Sequence, residues 1–172
     1  MKYLFFLLPL VYFINSPEDV IVHPGTIDKV SVGMDSLGVV NSYSEDFIRT
    51  DYSYNGLYDT YESTIFVTLS NGNGITIDLE SSKVFRITAR GKRFITQEGV
   101  RWGDNINTVK DKYDDFEVID GEEMGPPFVV LESGIAFEFS GNSNWYSRDY
   151  SEKDLSKFID STMTIRSIIV FK

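Results

Sequence analysis

The 172-residue chain is long enough for one domain or two small ones, and its 42% of hydrophobic residues can form a buried core. Its 26 acidic residues outnumber the 16 basic ones, and the net charge of -10 disfavours nucleic acid and anionic membranes as partners. We expect a protein partner, and a cationic one, although such a charge also simply keeps a protein soluble. The absence of cysteine excludes disulfides, thiol catalysis, cysteine-ligated metals and a lipid anchor on cysteine.

A short apolar segment at the N-terminus predicts export. Residues 1–16 contain Lys2 and then the run YLFFLLPLVYFI, which is the length of a secretory signal core and too short for a membrane span. We expect a periplasmic or extracellular protein without strong membrane association after export. Pro17 directly after the candidate cleavage residue Ser16 usually obstructs signal peptidase, so cleavage stays open. The alternative is that this run is a buried strand of the fold.

Two segments of the chain align without a gap at an offset of 70 residues. They are VSVGMDSLGVVNSY at residues 30–43 and VRWGDNINTVKDKY at residues 100–113. In each, an extended stretch reaches a glycine, Gly33 or Gly103, and a polar cluster able to cap a helix follows. Apolar residues then recur at helical spacing, through Tyr43 or Tyr113, as far as Phe47 or Phe116. Each segment therefore predicts an amphipathic helix of about three turns.

Three strand-like segments follow each predicted helix. The alternation of Ile75, Ile77 and Leu79 with polar residues is typical of a sheet with one buried face. The predicted strands are STIFVTL, ITIDL and KVFRIT after the first helix, and FVVL, IAFEF and TIRSIIVF after the second. We therefore predict an α+β fold of two tandem units, residues 17–90 and 91–172, each a helix followed by a three-stranded antiparallel sheet. The alternative is chance similarity between two generic helix-strand units.

This pattern of glycine, capped helix, hairpin and a last strand rich in Val and Ile resembles the tandem units of the β-lactamase inhibitory protein family. The small outer-membrane lipoproteins of the barrel-assembly machinery share that unit. The resemblance covers residues 26–172 and implies tandem α+β units in a protein of the cell envelope. The chain departs from these families in having no disulfide, no lipidated cysteine and no Gly-x-Pro at the helix end.

Two aromatic and polar segments, residues 50–63 and 140–154, are predicted as partner-binding loops. Tyrosine and tryptophan among Ser, Asn and Gly are typical of binding surfaces, because rigid rings bury area at little entropic cost. The alternative is that these rings fold back over the core. The candidate residues are Tyr52, Tyr54, Tyr58 and Tyr61 in the first segment, and Trp145, Tyr146 and Tyr150 in the second.

A third candidate is the acidic segment before Gly125, where Asp120, Glu122 and Glu123 could enter a cationic cleft of a partner. The alternative is a solvated acidic turn. A cluster of basic residues, Arg86, Arg90, Lys92 and Arg93, is instead predicted to edge a strand and pair with nearby carboxylates.

The sequence favours binding over catalysis, and we expect no cofactor and no metal. The single histidine, His23, stands beside Pro24 and Gly25, a poor place for an oriented base, and no Gly-rich phosphate loop is present. We therefore expect an inhibitor or immunity protein that occludes a secreted toxin or cell-wall hydrolase. Two alternatives stay open: a structural or assembly factor of the envelope, and a carboxylate-dependent hydrolase.

Overall fold

The computed structural model describes residues 19–55, 60–69, 73–121, 125–149, 151 and 153–172, with backbone only for residues 47, 53–55 and 60–62. The predicted export segment, residues 1–16, lies outside these ranges. Among the described residues, no helix is both long and apolar enough to cross a membrane.

Twelve strands, three short α-helices and one 3₁₀ helix make up the described part of the chain. The strands are β1 (Val20–His23), β2 (Thr26–Ile27), β3 (Val30–Ser31), β4 (Phe47–Asn55), β5 (Thr60–Thr68), β6 (Gly74–Glu80), β7 (Lys83–Arg90), β8 (Phe94–Thr96), β9 (Glu117–Ile119), β10 (Phe128–Val130), β11 (Ile135–Phe139) and β12 (Ile165–Phe171). The helices are α1 (Ser36–Ser42), α2 (Ile106–Lys112), α3 (Ser143–Tyr146) and the 3₁₀ helix (Leu155–Phe158).

The strands form two sheets. The large sheet has eight strands in the order β4-β5-β6-β7-β12-β11-β10-β9, and every neighbouring pair is antiparallel. The small sheet has the order β3-β2-β1-β8, with β1 and β8 parallel. Because β7 pairs with β12 in the middle of the large sheet, strands from both halves of the chain belong to one continuous layer.

One hydrophobic core lies against one face of the large sheet. On β6 the residues Ile75, Ile77 and Leu79 are buried, and Thr76 and Asp78 between them are only partly buried, which is the alternation of a sheet packed on one face. Val39 of α1, the apolar residues of α2 and the inward side chains of the small sheet complete the same core. Each fully buried aliphatic side chain contributes about 1.5–3 kcal/mol relative to an exposed one.

The two predicted helices start in the same way. The Asp35 carboxylate caps α1 by accepting a hydrogen bond from the Gly38 amide at 2.7 Å, and Asn105 caps α2. Gly33 and Gly103 precede these caps with φ of +89° and +90°, a backbone angle that other residues rarely adopt. Their amides donate to residues near the start of two central strands, Gly33 to the Val84 oxygen in β7 and Gly103 to the Ile165 oxygen in β12.

The predicted fold class is wrong, because the chain does not form two helix-plus-three-strand units. Among the described residues 44% lie in strands and 16% in helices, and the twelve strands join in two sheets. All six predicted strands are present, but the prediction missed β4, whose polar residues indicate a loop, and β9, which has only three residues and lies in an acidic segment. It also missed the small sheet, whose strands of two to four residues show no periodicity. The helices have seven residues, two turns instead of three.

Candidate functional site

The first predicted loop, residues 50–63, is mostly strand. β4 and β5 form a hairpin in which Tyr52 pairs with Ser63 and Tyr54 pairs with Tyr61. β5 pairs with β6 only from Ser63 onward, so the end of this hairpin extends beyond the rest of the sheet. The ring of Tyr52 is 76% exposed. Tyr58 lies outside the described residues, as do the side chains of Tyr54 and Tyr61.

In the second predicted loop, residues 140–154, the tryptophan that was expected on the surface is buried. Trp145 of α3 is completely buried, and its indole Nε1 donates to the Gly125 oxygen at 3.0 Å. The guanidinium of Arg148 lies 3.9 Å from the centre of that ring. The prediction that Trp145 contacts a partner is therefore wrong, because its large apolar ring lies in the core. Tyr146 is 51% exposed, and Tyr150 lies outside the described residues.

The first carboxylate of the acidic segment, that of Asp120, forms an ion pair within the protein. Asp120 accepts a hydrogen bond from the buried guanidinium of Arg148, which also donates to the Trp145 oxygen at 2.5 Å. This arrangement fixes α3 to the segment after β9. Glu122 and Glu123 lie outside the described residues. In the basic cluster, Arg86 Nε donates to Asp78 Oδ2 at 2.7 Å, which confirms the predicted pairing of that residue.

The structure reveals a cleft at the C-terminal end of α2 that the sequence did not predict. A cavity of about 310 Å³ lies between this helix end, the segment after β8 and the turn between β10 and β11. A second cavity of about 390 Å³ shares Asp115, Leu131 and Glu132 with it. We call the two together the acidic cleft. Its charged lining consists of Glu98, Lys112, Asp114, Asp115, Glu117 and Glu132, so five carboxylates face one ammonium group.

Apolar side chains form the walls between these charges. Val22, Leu131 and Ile135, which line the first cavity, are all core residues, while Glu98, Asp115 and Glu132 are exposed at its rim. The cleft thus combines an apolar interior with a negatively charged rim. Such a rim raises the local concentration of cations at physiological salt.

Tyr113 lines the cleft and fixes one of its carboxylates. Its hydroxyl donates to Glu98 Oε2 at 2.6 Å and lies 2.9 Å from Thr96 Oγ1. Burial and the hydrogen bond to Glu98 raise the pKa of Tyr113 well above its ordinary value. The phenol therefore stays protonated and holds Glu98 in one position across the physiological pH range.

The corresponding place at the end of α1 is closed. Tyr43 donates to Asp28 Oδ2 at 3.1 Å, with the same spacing of 15 residues that separates Tyr113 from Glu98. Tyr43 is completely buried, however, and the Lys29 ammonium lies 5.2 Å from the centre of its ring. The tyrosine at the end of α1 therefore has no open surface beside it, whereas Tyr113 lines the acidic cleft.

A second concave surface lies on the outer face of the large sheet. This apolar groove has a volume of about 320 Å³ and is lined by Phe85, Arg86, Ile119, Asp120, Phe128, Val130, Ala136, Ile169 and Phe171. Phe85 and Ile119 are 36% and 38% exposed. Contiguous exposed apolar surface of this kind is typical of interaction sites.

The acidic cleft could have been found in part from the sequence. The segment DKYDDFE at residues 111–117 places carboxylates on both sides of Tyr113, directly after the predicted helix. Glu98 and Glu132 come from distant parts of the chain, and only the fold brings them to the same place. Within the described ranges, no group of three or more acidic or histidine side chains is arranged to hold a metal ion.

No family model and no curated protein matches this chain. Its fold is similar to the crystal structure of the uncharacterized protein YfeY from Escherichia coli, with a TM-score of 0.63 and 12% sequence identity. The similarity covers 90% of this chain and 99% of that one. At this identity the similarity shows the fold alone: the chain folds as YfeY does, over nearly its whole length.

Proposed function

We propose that this protein is an inhibitor or immunity protein of the cell envelope that binds and occludes a cationic protein, a secreted toxin or a cell-wall hydrolase. The observation that supports this proposal is the acidic cleft, a concave site with five carboxylates at its rim. The net charge of -10 would steer a cationic partner toward it. The predicted export segment is the reason for placing the encounter in the periplasm or outside the cell.

The cleft fits the side chain of an arginine or a lysine. Both side chains have an apolar stem and a cationic head. The stem would contact Leu131 and Ile135, and the head would reach Glu98, Asp115 or Glu132 at the rim. Because the carboxylates are spread around the opening, a planar guanidinium could donate hydrogen bonds to two of them at once, which favours arginine over lysine.

The exposure of these carboxylates favours binding over catalysis. Carboxylate catalysis relies on two acidic groups in different environments, one of them buried among apolar groups so that it retains a proton at neutral pH. Glu98, Asp114, Asp115 and Glu132 are all exposed. An exposed ring of carboxylates attracts cations but does not exclude water from a reacting bond.

A pull-down with charge-matched variants tests this proposal. The variant Asp115→Lys/Glu132→Lys changes both residues that the two cavities share. Glu45→Lys/Glu80→Lys is the matched control, because it changes the net charge equally at exposed positions outside the cleft. Each protein is immobilised and exposed to an envelope extract at low salt, and the captured proteins are identified and quantified.

We expect the wild type and the control to retain the same basic protein and the cleft variant to lose it. Bound protein should also be released as salt is raised, since exposed ion pairs are screened. The captured protein should lose its toxic or hydrolytic activity when the wild type is added. Equal retention by the cleft variant, or an acidic partner, would refute the proposal.

The alternative role, a structural or assembly factor of the envelope, is favoured by the apolar groove on the outer face of the sheet. The Ile119→Asp variant, which has a charge in the groove, should no longer bind an assembly partner there. The Asp115→Lys/Glu132→Lys variant should still bind it. The hydrolase alternative predicts instead that the purified protein degrades peptidoglycan and that neutralising the cleft carboxylates abolishes this activity.

A further inference from the structure

Strand β4 forms one edge of the large sheet, and none of the described residues pairs with its outer side. It is nine residues long and pairs with β5 in one continuous register without a bulge. An edge strand presents unpaired N–H and C=O groups, which are a template for another strand. The sequence of β4, FIRTDYSYN, contains no proline, glycine or lysine that would block such pairing.

The opposite edge of the same sheet is protected. β9 has only three residues, and the 3₁₀ helix Leu155–Phe158 packs against it. Asp115, Glu117 and Asp120 add negative charge at this edge. Short length, cover and charge are the usual means by which proteins prevent strand addition. β4 is long, and none of the described residues covers its outer side; its charged residues, Arg49 and Asp51, are of opposite sign.

The charges on β4 are self-complementary. Arg49 and Asp51 stand on either side of Thr50 and form an ion pair with each other at 2.9 Å, from Arg49 Nη2 to Asp51 Oδ2. Their side chains remain 59% and 53% exposed, so both can also face the charges of a partner strand. Arg49 also lies over the Phe66 ring, on the face of the sheet opposite the core. In an antiparallel pair of β4 strands centred on Thr50, Arg49 stands opposite the partner's Asp51, and Asp51 stands opposite the partner's Arg49.

We propose that a second copy of this chain pairs antiparallel with β4 about Thr50, so that the two large sheets continue into one. Opposite charges that face each other across an antiparallel pair stabilise it, and the twofold symmetry forms this contact twice. In this register odd-numbered residues stand opposite odd-numbered ones, and even-numbered residues opposite even-numbered ones. The residues whose N–H and C=O groups point outward from one β4 therefore stand opposite the residues whose groups point outward from the other.

The charges select this register over its neighbours. A pair centred on Arg49 would place that residue opposite the partner's Arg49, and a pair centred on Asp51 would place two aspartates opposite each other. Like charges directly opposite destabilise a strand pair. Only the register centred on Thr50 brings unlike charges together.

The other face of β4 agrees with the same register. Ile48 would stand opposite the partner's Tyr52, and Tyr52 opposite the partner's Ile48. Tyr52 is 76% exposed in the single chain, and Ile48 packs partly against the core. Pairing would therefore cover an exposed ring with an aliphatic side chain, a favourable cross-strand combination. This dimer does not depend on the acidic cleft.

Sedimentation equilibrium of the full chain, over a wide range of protein concentration, tests the dimer with a charge swap. The variants are Arg49→Asp, Asp51→Arg and the double swap Arg49→Asp/Asp51→Arg. Either single change places like charges opposite each other twice, and we expect it to raise the dimer dissociation constant about tenfold or more. The double swap should restore the wild-type constant.

Lys110→Asp on α2 is the control, because it changes the net charge as Arg49→Asp does but lies away from β4. It should leave the dimer unchanged, and circular dichroism checks that each variant is folded. A wild type that stays monomeric, for instance because another segment of the chain covers β4, would overturn the proposal. So would a dimer that the single changes do not weaken, or one that the double swap fails to restore.

Discussion

At the scale of single residues, two tyrosines show how equivalent positions acquired different surroundings. Tyr43 and Tyr113 each end a short helix and donate to a carboxylate 15 residues earlier in the chain. Burial raises the pKa of Tyr43 well above its ordinary value, and the nearby Asp28 raises it further. The sequence alignment pairs the two tyrosines but gives no sign that only Tyr113 borders an open cleft.

The raised pKa of Tyr43 predicts a loss of stability at alkaline pH. The folded state keeps its phenol protonated while the unfolded chain ionises above about pH 10, so the stabilising contribution is complete below that pH. It is lost as the pH rises from there toward the higher folded pKa. Urea unfolding at increasing pH should show this decline, and Tyr43→Phe should make it shallower. At neutral pH the same change should cost about 1 kcal/mol for the lost hydrogen bond. An unchanged alkaline slope would refute this assignment.

Truncation of the two tryptophans to alanine should affect stability to very different extents. Trp145→Ala removes a completely buried ring and should lower the free energy of unfolding by about 3–5 kcal/mol. Trp102, which is 38% exposed, is the matched control. Trp102→Ala should change the free energy of unfolding by about 1 kcal/mol or less. Denaturant unfolding followed by circular dichroism measures both. If Trp145→Ala left stability unchanged and weakened partner binding, the original prediction of Trp145 as a contact residue would be right.

At the scale of elements, the connection from β11 to β12 is held by a repeated local motif. Asp149, Asp154 and Asp160 each accept hydrogen bonds from the amide and the hydroxyl of the residue two positions later. These Asx turns satisfy the backbone where the chain cannot pair in a sheet. The Asp154 turn also caps the 3₁₀ helix Leu155–Phe158.

These turns predict a loss of local structure in acid. The hydroxyl and amide of Ser156 lower the pKa of Asp154, and those of Thr162 lower the pKa of Asp160. A lowered folded pKa stabilises the fold above the ordinary carboxyl pKa, and this contribution is lost as the pH falls through the folded value. Hydrogen exchange of the Ser156 and Thr162 amides should therefore accelerate as the pH falls below about 4, after correction for intrinsic rates.

The control for this prediction is Asp154→Asn/Asp160→Asn, which keeps an oxygen acceptor but removes the titration. The protection of both amides should then be nearly independent of pH over the same range. Protection that falls equally in the variant would show that other groups cause the acid effect.

At the scale of the whole molecule, local patterns were predictable and their assembly was not. Alternation in β6 and the capped helices were visible in the sequence because they depend on neighbouring residues. The pairing of β7 with β12 joins residues about 80 positions apart, for example Ala89 and Ile168, and no local periodicity encodes it. The sequence therefore predicted a three-stranded sheet in each half without fixing how the two pack, and the structure joins them in one large sheet.

On the surface, too, the overall charge was predictable from the sequence and the position of the cleft was not. The net charge indicated a cationic partner, but the acidic cleft depends on Glu98, Asp115 and Glu132 meeting across three different connections. The predicted acidic segment begins at Asp120, which instead pairs with Arg148 inside the fold. Attraction of cations is a property of the whole molecule, whereas the place of contact follows from the tertiary structure.

The most direct test of the central claim is whether the acidic cleft binds an arginine side chain. The isotopically labelled protein is titrated at low salt with a short peptide that has blocked termini and a single arginine as its only charged residue, and amide chemical shifts are followed by nuclear magnetic resonance. The control is the same peptide with glutamine in place of the arginine. We predict saturable shifts at Glu98, Tyr113, Asp115 and Glu132, absent with the glutamine peptide and absent in Asp115→Lys/Glu132→Lys. Shifts that are centred elsewhere, or that the glutamine peptide reproduces, would contradict the claim.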